Sequence, residues 1–189
     1  PVDYVTFDSW YPAKALLKHI ASKHMHYVCI IKKNRKLKLV GEIEYKRADS
    51  ISKKFKPYQY RFYSKYGFYM RGLEAILKDV GLVKLIIVKN GYKASISQTK
   101  FIITDMVSLS APHILSLYLN RWDIEVFFRD TKQLLSFEKF RYRGRANING
   151  HISLIFISYV FLDIVKIKHS LKTIGDAKAF LANVSSIEI

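Results

Sequence analysis

Within its first 32 residues the chain spells strand, helix, strand, and that succession restricts it to folds whose sheet contains a parallel pair. Val2 to Phe7 alternates β-branched and aromatic residues and runs up to Asp8, the pattern of a buried strand. Ser9-Trp10-Tyr11-Pro12 reads as a turn with Pro12 at the first helical position, and Ala13 to Ser22 reads as a helix. His26 to Lys32 is a second strand. Two parallel strands need a crossover between them, usually a helix, so this βαβ unit predicts an α/β fold.

Further along, short β-like runs follow one another: Leu37 to Tyr45, Tyr58 to Tyr63, Leu82 to Lys89 and Lys100 to Thr104. A short helix is expected near Leu73 to Asp79, and the polar, basic Ala48 to Pro57 reads as a loop. Ser110-Ala111-Pro112 marks the start of a long helix expected to run to about Leu135. Phe137 to Arg145 is a basic connector, Ala146 to Ile167 a further helix, and the stretch from Gly175 a weak tail with at most one short helix. No repeat or low-complexity tract interrupts the pattern.

Half of the 189 residues are apolar, enough for a sizeable core. The 32 Lys and Arg against 15 Asp and Glu give a formal net charge of +17. A folded chain this basic is built to meet a polyanion, with nucleic-acid phosphate the first candidate and an anionic membrane surface the second. The single cysteine, Cys29, excludes a disulfide framework and fits a reducing cytoplasm. No signal peptide opens the chain, and the start inside a strand-like segment without Met points to lost upstream sequence. Ile152 to Val165 is the most apolar run; it is too short to cross a bilayer and reads as a buried helix.

The expected long helix carries the chemistry. Tyr118, Arg121, Glu125 and Lys132 are spaced by three, four and seven residues, which at about 3.6 residues per turn confines them to a sector of roughly 60°. Arg129 falls on the same face. Leu115, Leu119, Trp122 and Val126 flank this stripe on one side, and Leu117, Ile124 and Phe128 on the other. A narrow polar stripe between apolar flanks suggests ionisable groups lining a cleft while the rest packs. Helix geometry alone also admits ordinary i,i+4 ion pairs from Glu125 to Arg121 and Arg129, worth roughly 0.2–0.5 kcal/mol each. By itself Asp8 reads as a turn or capping residue before Pro12.

The string Tyr-Leu-Asn-Arg-Trp-Asp-Ile-Glu-Val-Phe-Phe-Arg-Asp-Thr-Lys, with Tyr118, Arg121, Glu125 and Lys132 in place, resembles the signature around the last catalytic acid of insertion-sequence DDE transposases of the Tyr-Arg-Glu-Lys group. Phe101 to Asp105 ahead of it and the helix with His151 near its start also resemble that family. Asp8-Ser9-Trp10-Tyr11 resembles the segment of its second catalytic Asp. The resemblance implies an α/β fold of the RNase H-like class, incomplete at the N-terminus, with a mostly β insertion before the Glu helix. On that plan residues 1–33 and 101–170 form the core, residues 34–100 the insertion and residues 171–189 a C-terminal tail. It implies that Asp8 and Glu125 are catalytic and ligate Mg²⁺ or Mn²⁺. Tyr118, Arg121, Arg129 and Lys132 would contact DNA, joined by Arg141, Arg143 and Arg145 of the basic connector.

Hard carboxylate oxygens suit Mg²⁺, and two such ions can activate the attacking oxygen and stabilise the leaving one in phosphodiester cleavage. Arg and Lys suit the phosphates around it. The family's first Asp has no counterpart ahead of Asp8, because Asp3 lies on the same strand. The expectation is therefore a transposase fragment for hydrolysis and strand transfer on double-stranded DNA, inactive alone, prokaryotic and nucleoid-associated, and multimeric on DNA as family members are. The alternatives are a non-catalytic DNA-binding remnant and a basic RNA- or membrane-binding protein without transposon ancestry.

Three other features are candidates for a role of their own. Pro57 to Tyr66 interleaves aromatics with bases, a composition suited to base stacking, although strand packing is the favoured account. Lys32 to Lys38 is a second basic run, which as solvated charge needs no further role. His19, His24, His26 and Cys29 match no zinc spacing.

Overall fold

The computed structural model describes residues 3–139 and 144–185. The chain divides into two compact units, residues 1–121 and 122–189.

In the first unit, β1 (Tyr4–Phe7), α1 (Lys14–Ser22) and β2 (His26–Ile31) form the expected βαβ unit, with β1 and β2 parallel and Phe7 opposite Cys29. Pro12 is buried one position ahead of the Ala13 N-cap, so the helix starts at Lys14 rather than at the proline. The chain continues through β3 (Lys36–Leu39), β4 (Lys46–Arg47), α2 (Ala48–Lys53), β5 (Arg61–Tyr63), β6 (Phe68–Leu77), β7 (Gly81–Lys89), β8 (Thr99–Thr104) and α3 (Ala111–Leu119). The strands lie in the order β1-β2-β8-β7-β6-β3-β4, with β5 also paired to β6. Strands drawn from residues 34–100 thus continue the sheet that holds β1, β2 and β8.

Alternation sorts the core onto two faces. Tyr27, Cys29 and Ile31 of β2, Val83, Leu85 and Ile87 of β7, and Phe101 and Ile103 of β8 pack with Leu17 and Ile20 of α1 and Ile51 of α2. Val28, Ile86, Val88 and Ile102 point the other way and pack with Ile114, Leu115 and Tyr118 of α3. Central strands covered on both faces read as continuous apolar runs, and Leu85 to Val88 is one.

Two local expectations give way. Where Leu73 to Asp79 reads as helix, Leu73 to Leu77 is strand and Lys78 and Asp79 are turn: β6 pairs with β7 from Tyr69–Lys89 to Leu77–Gly81, and that ladder overrides the helix propensity of Leu-Glu-Ala-Ile-Leu-Lys. The hairpin closes through Asp79 at φ 62° and Gly81 at φ 123°. Ala48 to Lys53 is a helix, α2, rather than a loop. Its Asp49 takes two hydrogen bonds from the Arg47 guanidinium, at 3.1 and 2.6 Å.

The same face of β6 and β7 carries two cations. Lys89 is only 8% exposed, and its ammonium lies 4.2 Å from the Tyr60 ring centre. Burial holds its pKa below the ordinary lysine value. The Arg71 guanidinium sits 4.0 Å from the Phe55 ring centre and donates to the Gln59 carbonyl at 2.7 Å, while its buried Nε has no acceptor. A cation–π contact returns about 0.5–2 kcal/mol, less than the several kcal/mol that an unpaired buried cation costs.

The second unit holds α4 (Trp122–Leu134), α5 (Arg145–Lys168) and α6 (Ile174–Ser185). Its small core joins Leu162, Val165, Ile174 and Ala177, with Leu134, Tyr159 and Phe180 packed around them. Phe127 of α4 stacks on Phe156 of α5 at 5.4 Å. The run Ile152 to Val165 lies within a 24-residue helix, α5, and is mostly exposed rather than buried: only Ile155, Leu162 and Val165 are covered. At that length, with a mean hydropathy of 1.7, α5 could cross a membrane by length and composition, which for one helix is weak evidence. The weak tail contains α6, started by a reciprocal box: Asp176 N–H donates to Thr173 Oγ1, and Thr173 N–H to Asp176 Oδ2, both at 3.0 Å.

Candidate active site

Asp8 follows the last residue of β1, at the sheet end where Phe7 pairs with Cys29. β1 is a half-buried edge strand rather than the buried strand its alternation suggested, and a carboxylate placed just past it is aimed by the sheet and reached from outside it. Its Oδ1 accepts the Trp10 backbone N–H at 2.8 Å, an Asx turn that fixes the carboxyl plane. Among the described residues Asp8 makes no ion pair, and its Oδ2 carries no hydrogen bond, whereas Glu42, Asp49, Asp79, Asp130 and Asp163 are each bonded to a Lys or Arg.

Tyr118 and Arg121 belong to the same unit. Tyr118 is nearly buried against the β2, β7 and β8 face, and Arg121 Nε donates to its hydroxyl at 3.2 Å. Burial raises the Tyr118 pKa, Arg121 opposes the rise, and the Asp8 charge adds to it. Asp8, Tyr118 and Arg121 therefore share one electrostatic neighbourhood, although 110 positions separate the first two in the chain. The phenol stays a neutral donor, with its hydroxyl oriented by a guanidinium.

The chain then turns. The long helix expected over Ser110 to Leu135 is interrupted at Asn120–Arg121: Arg121 N–H closes a tight turn onto the Tyr118 carbonyl at 3.1 Å, and α4 starts at Trp122. Tyr118 and Arg121 are thus not on the helix of Glu125, and the single 60° stripe holds only for Glu125, Arg129 and Lys132 of α4. Nor do the flanks pack as expected: Trp122, Ile124 and Phe128 are 57%, 52% and 43% exposed. Asp130 and Thr131 are the buried residues of α4, and periodicity gave no hint of them. Thr131 Oγ1 donates to the Phe127 and Phe128 carbonyls at 2.9 and 3.1 Å.

Glu125 is exposed on the first turn of α4. Arg129 donates twice to Asp130 Oδ1 at 3.0 Å, and the Lys132 ammonium meets Glu138 at 2.5 Å. Arg145 is exposed at the start of α5; Arg141 and Arg143 lie outside the described residues.

Beside Asp8 the surface is basic and aromatic, a feature the sequence carried only as a charge run. Trp10 is 78% exposed, with the Lys32 ammonium 4.8 Å from its ring centre. Ser9 borders two hollows, one of about 300 Å³ with Lys33, Ser97 and Lys100, the other of about 220 Å³ with Trp10, Lys32 and Arg35. At the other end of the sheet, His26 Nδ1 and Asp105 Oδ2 are 2.9 Å apart, and Asp105 also accepts the Tyr27 N–H, a clip between β2 and β8.

Carboxylate oxygens are the donors that Mg²⁺ and Mn²⁺ prefer, and Asp8 keeps one uncommitted. Among the described residues no three of His, Cys, Asp or Glu gather into a metal-holding group. The donors present are of the right kind and too few to hold such an ion tightly.

No curated protein matches the chain. The family model of the transposase DDE domain matches residues 1–161, which span the whole sheet, α3, α4 and most of α5. On that match, the chain belongs to the transposase DDE domain family.

Proposed function

We propose that the chain carries part of the active site for metal-dependent cleavage and strand transfer of DNA, with Asp8 and Glu125 as the carboxylates that ligate Mg²⁺ or Mn²⁺. Transposase DDE domains generally use divalent ions, and such an ion would supply charge stabilisation at the reacting phosphate. The observation that carries the reading is the grouping of an ion-pair-free Asp8 with Tyr118 and Arg121 at the end of a parallel strand. Tyr118 and Arg121 offer neutral and charged donors to a phosphate there, and Arg129, Lys132 and Arg145 are the further cations assigned to DNA contact.

The parallel β1–α1–β2 unit with antiparallel β8 beside it supports an RNase H-like core, with residues 34–100 as its insertion and residues 171–189 as a tail. Tyr118, Arg121, Glu125 and Lys132 support membership of the Tyr-Arg-Glu-Lys group of insertion-sequence transposases. Double-stranded DNA is the partner, bound by a multimer of the chain in a prokaryotic cytoplasm. Two carboxylates leave the donor set short, so the 189 residues by themselves bind the ion weakly and do not cut.

Mn²⁺ binding followed by electron paramagnetic resonance tests the shared site. Asp8→Asn and Glu125→Gln should each abolish the same weak site. Losses that are independent and additive, or no loss at all, would sink the shared-metal reading. A magnesium-dependent nicking assay on the chain alone should be blank; cutting that Glu125→Ala removes would show that the site is complete after all.

A further inference from the structure

Among the described residues of the first unit, Lys89 is buried and Arg71 is half-buried with its Nε fully covered, and no acid answers either cation. The nearby carboxylates are committed elsewhere: Glu42 to Lys54, Asp49 to Arg47, Glu74 to Lys84 and Asp79 to Lys14. Neither residues 50–73 nor residues 80–104 contain an Asp or Glu. The strand register sets Lys89 opposite Tyr69 and Arg71 opposite Ile87, so the two cations are diagonal neighbours on one face of the sheet. Rings under both of them offset part of the burial, yet Arg71 Nε is still without an acceptor. A fold that keeps two such groups together is prepared for an anion.

The rim says which anion. Phe62 contacts Tyr69 at 4.9 Å, and Tyr69 contacts Tyr92 at 5.6 Å, so two exposed rings flank the partner of Lys89. Tyr58, next to the Gln59 that receives Arg71, is 75% exposed; Phe62 is 51% and Tyr92 46% exposed. Lys56, Arg61 and Lys93 are exposed around them. Free aromatic faces among cations suit a strand whose bases are unstacked, because a duplex keeps its base faces occupied.

We propose that this corner of β5, β6 and β7 is a single-stranded DNA site, in which Arg71 and Lys89 take a backbone phosphate and Tyr58, Phe62 and Tyr92 stack unpaired bases. The stretch Pro57 to Tyr66 then divides its labour: Tyr60 packs, while Tyr58 and Phe62 face outward. The site uses neither Asp8 nor Glu125, so binding can be read without cleavage, and either reading can fail alone.

The test is fluorescence anisotropy of labelled oligo(dT) on the full chain. Arg71→Gln and Lys89→Met should each weaken binding at least tenfold, and a Tyr58→Ala/Phe62→Ala pair severalfold, while a duplex of equal length is bound within twofold of the parent. Inorganic phosphate should raise the melting temperature of the parent and not that of Arg71→Gln. Lys89→Met should melt no lower than the parent, since it removes a charge without a partner. Variants that bind oligo(dT) within twofold of the parent would overturn the proposal, as would an equal loss on duplex. Tighter binding of oligo(rU) through the same two cations would overturn its assignment to DNA.

Discussion

Tyr27 and Cys29 project from β2 into the core, 2% and 0% exposed, and burial there raises the pKa of both, with Asp105 adding to the rise at Tyr27 and Arg35 opposing it at Cys29. A group whose pKa is higher folded than unfolded stabilises fully below its unfolded value, and that contribution is lost as pH climbs toward the folded one. For Tyr27 the loss starts near the ordinary value of 10.0. Urea midpoints measured from pH 7 to pH 11 should therefore fall more steeply for the parent than for Tyr27→Phe, with the two curves diverging only above about pH 10. Parallel curves would mean that the phenol is not desolvated. At the same scale, Asp8 reads by itself as a turn or capping residue, and as a ligand only through the resemblance. The Trp10 N–H on one oxygen and nothing on the other is information that only coordinates hold.

Elements divide into those fixed by local pattern and those fixed by neighbours. β2, β7 and β8 were visible as apolar runs, and Leu85, fully buried in β7, should cost about 2–5 kcal/mol on truncation to Ala in denaturant titration. The start of α6 is also local: its Thr173-x-x-Asp176 box lies within four residues of sequence. Thr173→Ala should destabilise the chain by about 0.5–2 kcal/mol, with the loss of helicity visible by circular dichroism. By contrast, β6 carries helix-favouring residues and becomes strand because nine register pairs with β7 outweigh weak propensity. The turn at Asn120–Arg121 is likewise hidden: the heptad-like spacing through Lys132 is intact in the sequence, and only the backbone bond to Tyr118 reveals the stop.

Across the whole chain, the charge of +17 is an argument about binding that needs no fold. DNA affinity should fall steeply with salt, by about 10³–10⁵ between 50 and 200 mM if six to ten phosphates are neutralised. A nearly flat dependence would remove phosphate contact as the basis of binding. Sequence by itself determined the α/β class, the apolar core strands and the excess of positive charge, and it singled out Asp8, Tyr118, Arg121, Glu125 and Lys132 as candidates, because periodicity, charge and motif spacing are all written along the chain. Tertiary structure alone decided that Asp8 shares a neighbourhood with Tyr118 and Arg121, that β6 is a strand, and that Lys89 is buried and Arg71 half-buried without an acid. Those facts depend on which remote segments pair, and hydrogen bonding and desolvation act between neighbours in space, whatever their separation in sequence.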